Sequence, residues 1–227
     1  MSEYEEQLNI FSVDETRIQT KEYFEKYWLG EDEYLETWFP IQESIFEGTA
    51  KHLPDLMFKN EFQLLPLVGG NIFTSEKDFA ALQNCMKYTG DSYFAIVQNK
   101  NVVINFYFGN DDWREHPLLR FRYPTDVSWD DLMSGGYVSI ELFQGAAKDY
   151  FIFGNSGTWG RYVANDYACP SIEPATGTPL NIMGFKGEFS ELFSKEFEEV
   201  RRLNSQITPE TLVSKWLPDA YKRLSAL

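Results

Sequence analysis

Asp149-Tyr150-Phe151-Ile152-Phe153-Gly154-Asn155-Ser156-Gly157-Thr158-Trp159-Gly160-Arg161-Tyr162-Val163-Ala164 is the stretch on which the fold turns. Residues 149–153 and 159–164 are rich in aromatic and β-branched side chains, which favour a pleated, half-buried backbone. Between them lies Gly154-Asn155-Ser156-Gly157, built from residues that suit tight turns. So short a link leaves no room for a helical crossover, so the two strands must run antiparallel. Further short strands are expected over 137–143 and 180–185, the former joined to residue 149 by Gly145-Ala146-Ala147-Lys148.

Upstream, residues 62–68 read as a strand ending at Gly69-Gly70. Thr74-Ser75-Glu76-Lys77-Asp78 then opens a helix, with hydroxyls able to cap and acids in the first turn. That helix runs through Phe79, Leu82, Cys85 and Met86 and stops near Gly90. Strands over 92–98 and 102–108 are separated by Asn99-Lys100-Asn101, which predicts a hairpin. Ser128-Trp129-Asp130-Asp131 opens one short helical turn.

Helices are expected at both ends. Residues 14–29 place Ile18, Phe24, Tyr27 and Trp28 near one face, with Gly30 as the stop. A second helical stretch covers 32–39 and resumes after Pro40 towards Gly48, before a loop at His52-Leu53-Pro54-Asp55. A C-terminal helix over 189–203 carries Phe189, Leu192, Phe193, Phe197 and Val200 on one stripe. Another starts at Thr208-Pro209-Glu210. The order predicts a single α+β domain over 1–227: an acidic helical part (1–60), a sheet-rich part (61–188) and closing helices (189–227). A largely antiparallel sheet of about six to seven strands would carry the N-terminal and C-terminal helices packed on it.

The chain has 227 residues, 43% hydrophobic and 24% charged, ordinary values for a globular domain and unlike those of a disordered or fibrous chain. Aromatic residues reach 17%, a share that suits a sheet-rich core. Charge is more telling: 35 acids face 20 bases, a formal net of -15. Residues 1–50 hold 13 acids against Arg17, Lys21 and Lys26, so a net of -10 sits in the first fifth of the chain. Such a chain repels phosphate backbones and anionic lipid, which argues against nucleic-acid or membrane partners. Neither a signal sequence nor a run of 18 apolar residues is present, so a cytoplasmic protein is expected. Cys85 and Cys169 make no disulfide framework and no CxxC motif, and read as reduced packing residues.

Catalytic signals are sparse. His52 and His116 each stand close before a proline and read as loop histidines, and no Gly-x-Ser-x-Gly elbow exists. Asp111-Asp112 and Asp130-Asp131 are carboxylate pairs of the kind that hold magnesium, but as loop residues they read more simply as turns or caps. No metal and no cofactor is expected. Gly154, Gly157 and Gly160 have the spacing of a phosphate cradle, yet a strand follows where a cradle needs a helix N-terminus. The functional remainder there is Trp159 and Arg161, expected as an exposed stacking or hydrogen-bonding patch. The N-terminal acids Glu31, Asp32, Glu33 and Glu36 stand among Trp28, Tyr34, Trp38 and Phe39. Aromatic anchors with a charged rim have the anatomy of a surface for a basic protein, although an acidic solvated face over buried aromatics has the same sequence.

The run from Asp149 to Val163, the short strand after it and Phe189-Ser190-Glu191-Leu192-Phe193 resemble a known pattern. It is similar to the final hairpin, strand and helix of small cytosolic immunity proteins of bacterial polymorphic-toxin and contact-dependent inhibition systems, including the SMI1/KNR4-like group. The likeness implies a protein that binds a cognate toxin, often a basic nuclease, and blocks it without catalysis of its own. The leading expectation is therefore a non-enzymatic acidic binding protein that masks a basic toxin, with Glu31, Asp32, Glu33 and Glu36 supplying charge and Trp28 and Trp38 as anchors. The alternative is an enzyme or small-ligand-binding domain with a pocket on the sheet near Trp159, Arg161, His116, Asp111 and Asp112. A third reading is an adaptor subunit with a permanent partner.

Overall fold

The computed structural model describes residues 4–5, 17–51, 53, 55–68, 72–73, 75–100, 105–107, 113–115, 118–135, 149–164 and 180–192. Helix α1 (Arg17–Tyr27) is followed by α2 (Glu31–Glu33), a π-helical turn (Tyr34–Trp38) and α3 (Phe39–Ile45) in one helical run. Strand β1 (Gln63–Val68) leads to α4 (Glu76–Thr89) and then to β2 (Tyr93–Gln98). Next come β3 (Asn105–Tyr107), β4 (Trp113–Glu115), β5 (Arg120–Pro124) and α5 (Trp129–Met133). Strands β6 (Asp149–Gly154), β7 (Trp159–Ala164) and β8 (Leu180–Phe185) precede α6 (Phe189–Leu192).

Six strands form one sheet in the order β1-β8-β7-β6-β2-β5, with every neighbouring pair antiparallel. The fold is α+β, as the strand spacing predicts. The β6–β7 hairpin sits at its centre, with Phe153 opposite Gly160 and Ile152 opposite Arg161. Its turn uses Gly157 at φ +68°, a left-handed conformation that costs glycine nothing.

Both faces of the sheet are covered, because alternate side chains of each strand point to opposite sides. Phe94, Ile96, Phe121, Tyr123, Tyr150, Ile152, Trp159 and Met183 share one core with α1 and α4. Ala95, Val97, Phe151, Phe153, Tyr162 and Ile182 share the other with Trp38, Ile45, Phe46, Phe58 and Phe62. The acidic N-terminal segment is thus a structural layer of the domain. It docks closely because β7 and β8 offer no side chain where it lands. A Cβ on Gly160 would lie 2.7 Å from the Phe46 ring, and one on Gly184 would collide with the Phe58 ring.

Local chemistry accounts for the ends of the helices. Ser75 caps α4 by accepting the Asp78 N–H at 3.2 Å, and Ser128 caps α5 by accepting that of Asp131 at 3.0 Å. Pro40 does not interrupt the second helix but sits in the first turn of α3. A proline ring clashes with the carbonyl four residues back, so the preceding turn widens. Accordingly the Phe39 N–H reaches the Tyr34 carbonyl, five residues back.

The hairpin expected from residues 92–98 and 102–108 is not formed among the described residues. Strand β2 has β5 on one side and β6 on the other, so both of its edges are occupied. Strand β3 pairs instead with β4, in a separate two-stranded sheet. The expected strand at 137–143, the helix beyond Leu192 and the helix at Thr208 lie outside the described residues.

Candidate functional site

The helical run that begins at α2 and ends with α3, together with Gln98 of β2, Arg120 of β5 and Phe151 of β6, lines a cavity of about 360 Å³. Its aromatic wall comes from Tyr34, Phe39, Phe46 and Phe151, and its acids are Glu31, Glu43 and Glu47. Lys100 and Arg120 are the cations of the wall among the described residues. The exposed side chain of Leu35 stands at the same opening.

The π-helical turn sets this geometry. Tyr34 and Trp38 both turn inward on either side of it, while Leu35 and Glu36 remain exposed. The Tyr34 hydroxyl donates to Gln42 Oε1 at 2.8 Å, bracing the turn against α3. Burial pushes the Tyr34 phenol up to about 12, opposed by the Arg120 charge and reinforced by Glu43. The phenol is therefore neutral at physiological pH. Arg120 is itself buried; its Nε donates to the Leu29 carbonyl at 3.3 Å, and its guanidinium lies over the rings of Trp28 (5.7 Å) and Tyr34 (5.4 Å).

The four expected acids take different positions. Glu31, Asp32 and Glu36 are exposed, and Glu31 lines the cavity. Glu33 is half-buried, ion-paired to Arg122 and within 3.4 Å of the Trp38 indole N–H. Of the two tryptophans expected as anchors, Trp38 is buried in the core and Trp28 keeps part of its surface exposed. Trp38 is 3% exposed, its ring edge-on to Phe153 at 5.8 Å in the second core. Trp28 is partly covered, stacked on Phe24 at 5.3 Å and edge-on to Phe121 at 5.6 Å. Acidic neighbours in sequence masked this, because the apolar stripe of the helical run carries its aromatics into the core while the acids stay on the opposite side.

Trp159 and Arg161 do not form an exposed patch either. Strand β7 is buried along its whole length, and its odd-numbered side chains face the α4 layer. The Trp159 indole donates to Asp91 Oδ2 at 2.7 Å, and Asp91 also accepts from the Ser156 N–H at 2.5 Å and from Thr89 Oγ1. That carboxylate ties the central hairpin turn to the end of α4. Arg161 donates to Asn181 Oδ1 at 3.1 Å. Burial pulls its guanidinium below the ordinary value, and the negative charge of Asp78 on α4 opposes the shift. Both residues hold layers together beneath the surface.

His52, Asp111, Asp112, His116 and Cys169 lie outside the described residues. Cys85 is a buried free thiol, its pKa pushed up by burial and by nearby Asp91, as suits a packing residue. Among the described residues, no group of three His, Cys, Asp or Glu side chains gathers as metal ligands do, and no helix is long and apolar enough to cross a membrane. Glu43, Glu47 and Phe46 escaped the sequence reading, which concentrated on the acids before Pro40. The signal that points to them is the density of acids throughout the first fifty residues.

No family description matches the chain, and no curated protein or solved structure shows significant similarity to it.

Proposed function

We propose that this is a non-enzymatic binding protein for a basic protein partner, and that it acts as an immunity protein which masks a basic toxin in the cytoplasm. One observation carries the reading. Exposed carboxylates of Glu31, Asp32, Glu36 and Glu43 project from one helical run whose opposite side is built into the core. Charges so mounted are pre-positioned, so a partner need not order them on binding. Their field steers a cationic surface towards the face and occupies lysines and arginines that would otherwise meet phosphate.

Affinity capture from native-host lysate with the wild-type chain, and with a variant carrying Asp32→Lys and Glu36→Lys, tests the proposal. The expected result is a basic protein held stoichiometrically by the wild type, weakened at high salt, and captured about tenfold less by the variant at low salt. Co-expression should then protect cells from that protein. Equal capture by both chains removes this face from the interface, and a partner without basic character overturns the reading.

A further inference from the structure

Resting on the reading above, we propose that the cavity lined by α3 is a socket for one arginine side chain presented by the basic partner. At about 360 Å³ it belongs with pockets that enclose small groups, and it is too small to take a folded element. Its wall combines two chemistries that a guanidinium uses together. The rings of Tyr34, Phe39, Phe46 and Phe151 supply aromatic surface, and the carboxylates of Glu43 and Glu47 supply acceptors. A guanidinium is planar, weakly hydrated and forked, so it stacks on a ring while bonding a carboxylate through two N–H groups. A lysine ammonium is compact and strongly hydrated, and gains less from the same wall.

Charge favours a cation here. Among the described residues three carboxylates line the cavity against two basic side chains, a net of -1, and the Arg120 guanidinium is held in place by the Leu29 carbonyl and two rings. The way Arg120 lies over Tyr34 shows that a ring of this wall accepts a guanidinium. Exposed Glu43 and half-buried Glu47 stand where an incoming side chain would meet them. Acids outside the cavity, Asp32 and Glu36, would attract any cationic surface. The socket adds a preference for arginine over lysine.

The preference is what the experiment reads. Two labelled nonapeptides, Gly-Ser-Arg and Gly-Ser-Lys each repeated three times, are titrated into the full-length protein at about 50 mM salt and followed by fluorescence anisotropy. The arginine peptide should bind about fivefold more tightly than the lysine peptide. Gly48 lines the cavity with open space around its missing Cβ, so Gly48→Trp fills the socket without a clash at the backbone. That variant should bind both peptides alike. Glu43→Gln with Glu47→Gln, which leaves the shape intact, should also shrink the arginine preference, whereas Asp32→Lys with Glu36→Lys should weaken both peptides and preserve their ratio. Equal binding of the two peptides by wild type, or an arginine preference that survives both cavity variants, overturns the socket while leaving the acidic-face reading in place. No binding of either peptide overturns both.

Discussion

Asp91 shows at the residue scale why a buried charge need not be a catalytic one. Its carboxylate accepts from an indole, a hydroxyl and a backbone N–H, so its acceptor capacity is spent on fixing a turn. A Cβ on Gly154 would sit 2.5 Å from this carboxylate, so the glycine is part of the same arrangement. Replacing Asp91 by Ala leaves the Trp159 indole N–H and the Ser156 N–H without their acceptor inside the protein. The expected loss is about 2–4 kcal/mol, since hydrogen bonds to a charged group are worth roughly 1.5–3 kcal/mol and orphaned donors add a penalty. Urea denaturation measures it, and a loss below about 1 kcal/mol would mean that water replaces the carboxylate. The other close fit is Gly160, where Gly160→Ala drives a methyl into Phe46 and into Ile45 Cγ2, 2.8 Å away. Overpacking of this kind costs about 1–3 kcal/mol, read as a lower urea midpoint with an unchanged slope. Because this change pushes α3 away from the sheet, the layer that carries Glu43 would shift with it.

At the scale of elements, the π-helical turn and the proline behind it form one device. The π-helical turn places Tyr34 and Trp38 in the core and leaves Leu35 and Glu36 outside. Pro40→Ala restores the missing N–H and relieves the clash with the carbonyl of Glu36, so an ordinary α-helical turn becomes accessible. The segment would rotate by part of a turn, and the Tyr34–Gln42 hydrogen bond would be strained or lost. Circular dichroism should register equal or greater helix content, while the arginine-over-lysine preference falls. If helix content and peptide preference are both unchanged, packing rather than proline sets the π-helical turn. Sequence patterns made the hairpin at 149–164, the capped helix α4 and the Ser128 cap legible, because turn residues and caps act locally. They did not reveal that β2 pairs with β5 and β6, because strand partners are chosen by burial across the whole sheet. Strand β5 was missed because Arg120 and Arg122 interrupt its apolar pattern, and only the folded neighbours reveal their partners, aromatic rings and Glu33. The cavity has the same origin: Glu31, Glu43 and Phe151 become neighbours only after the N-terminal layer lies on the sheet.

For the whole molecule, aromatic residues fill both layers and several carry hydroxyls into them, which gives stability a dependence on alkaline pH. The Tyr23 and Tyr123 hydroxyls lie 2.7 Å apart in the first core, and Tyr23 also donates to the Leu132 carbonyl at 2.9 Å. Burial raises both phenols far above the ordinary value, with Tyr27 close by adding to the effect. In the second core Tyr34 is raised to about 12, again mainly by burial. A phenol whose folded value exceeds its unfolded value, about 10, keeps its proton more firmly in the native state. Its contribution is therefore fully present below pH 10 and is lost as the pH rises, through about 12 for Tyr34 and higher still for the buried pair. Urea midpoints should stay level between pH 7 and pH 9 and fall steadily from pH 10 upwards. Tyr34→Phe removes the share that titrates lowest and should flatten the first part of that fall, at the cost of the hydrogen bond to Gln42 at neutral pH. Tyr123→Phe removes one member of the buried pair and should also flatten the fall from pH 10, with an effect that continues to higher pH than that of Tyr34→Phe. An alkaline limb of the same shape in both variants would place its origin in Lys26, which is likewise raised, chiefly by neighbouring Tyr27, and whose contribution falls away in the same direction.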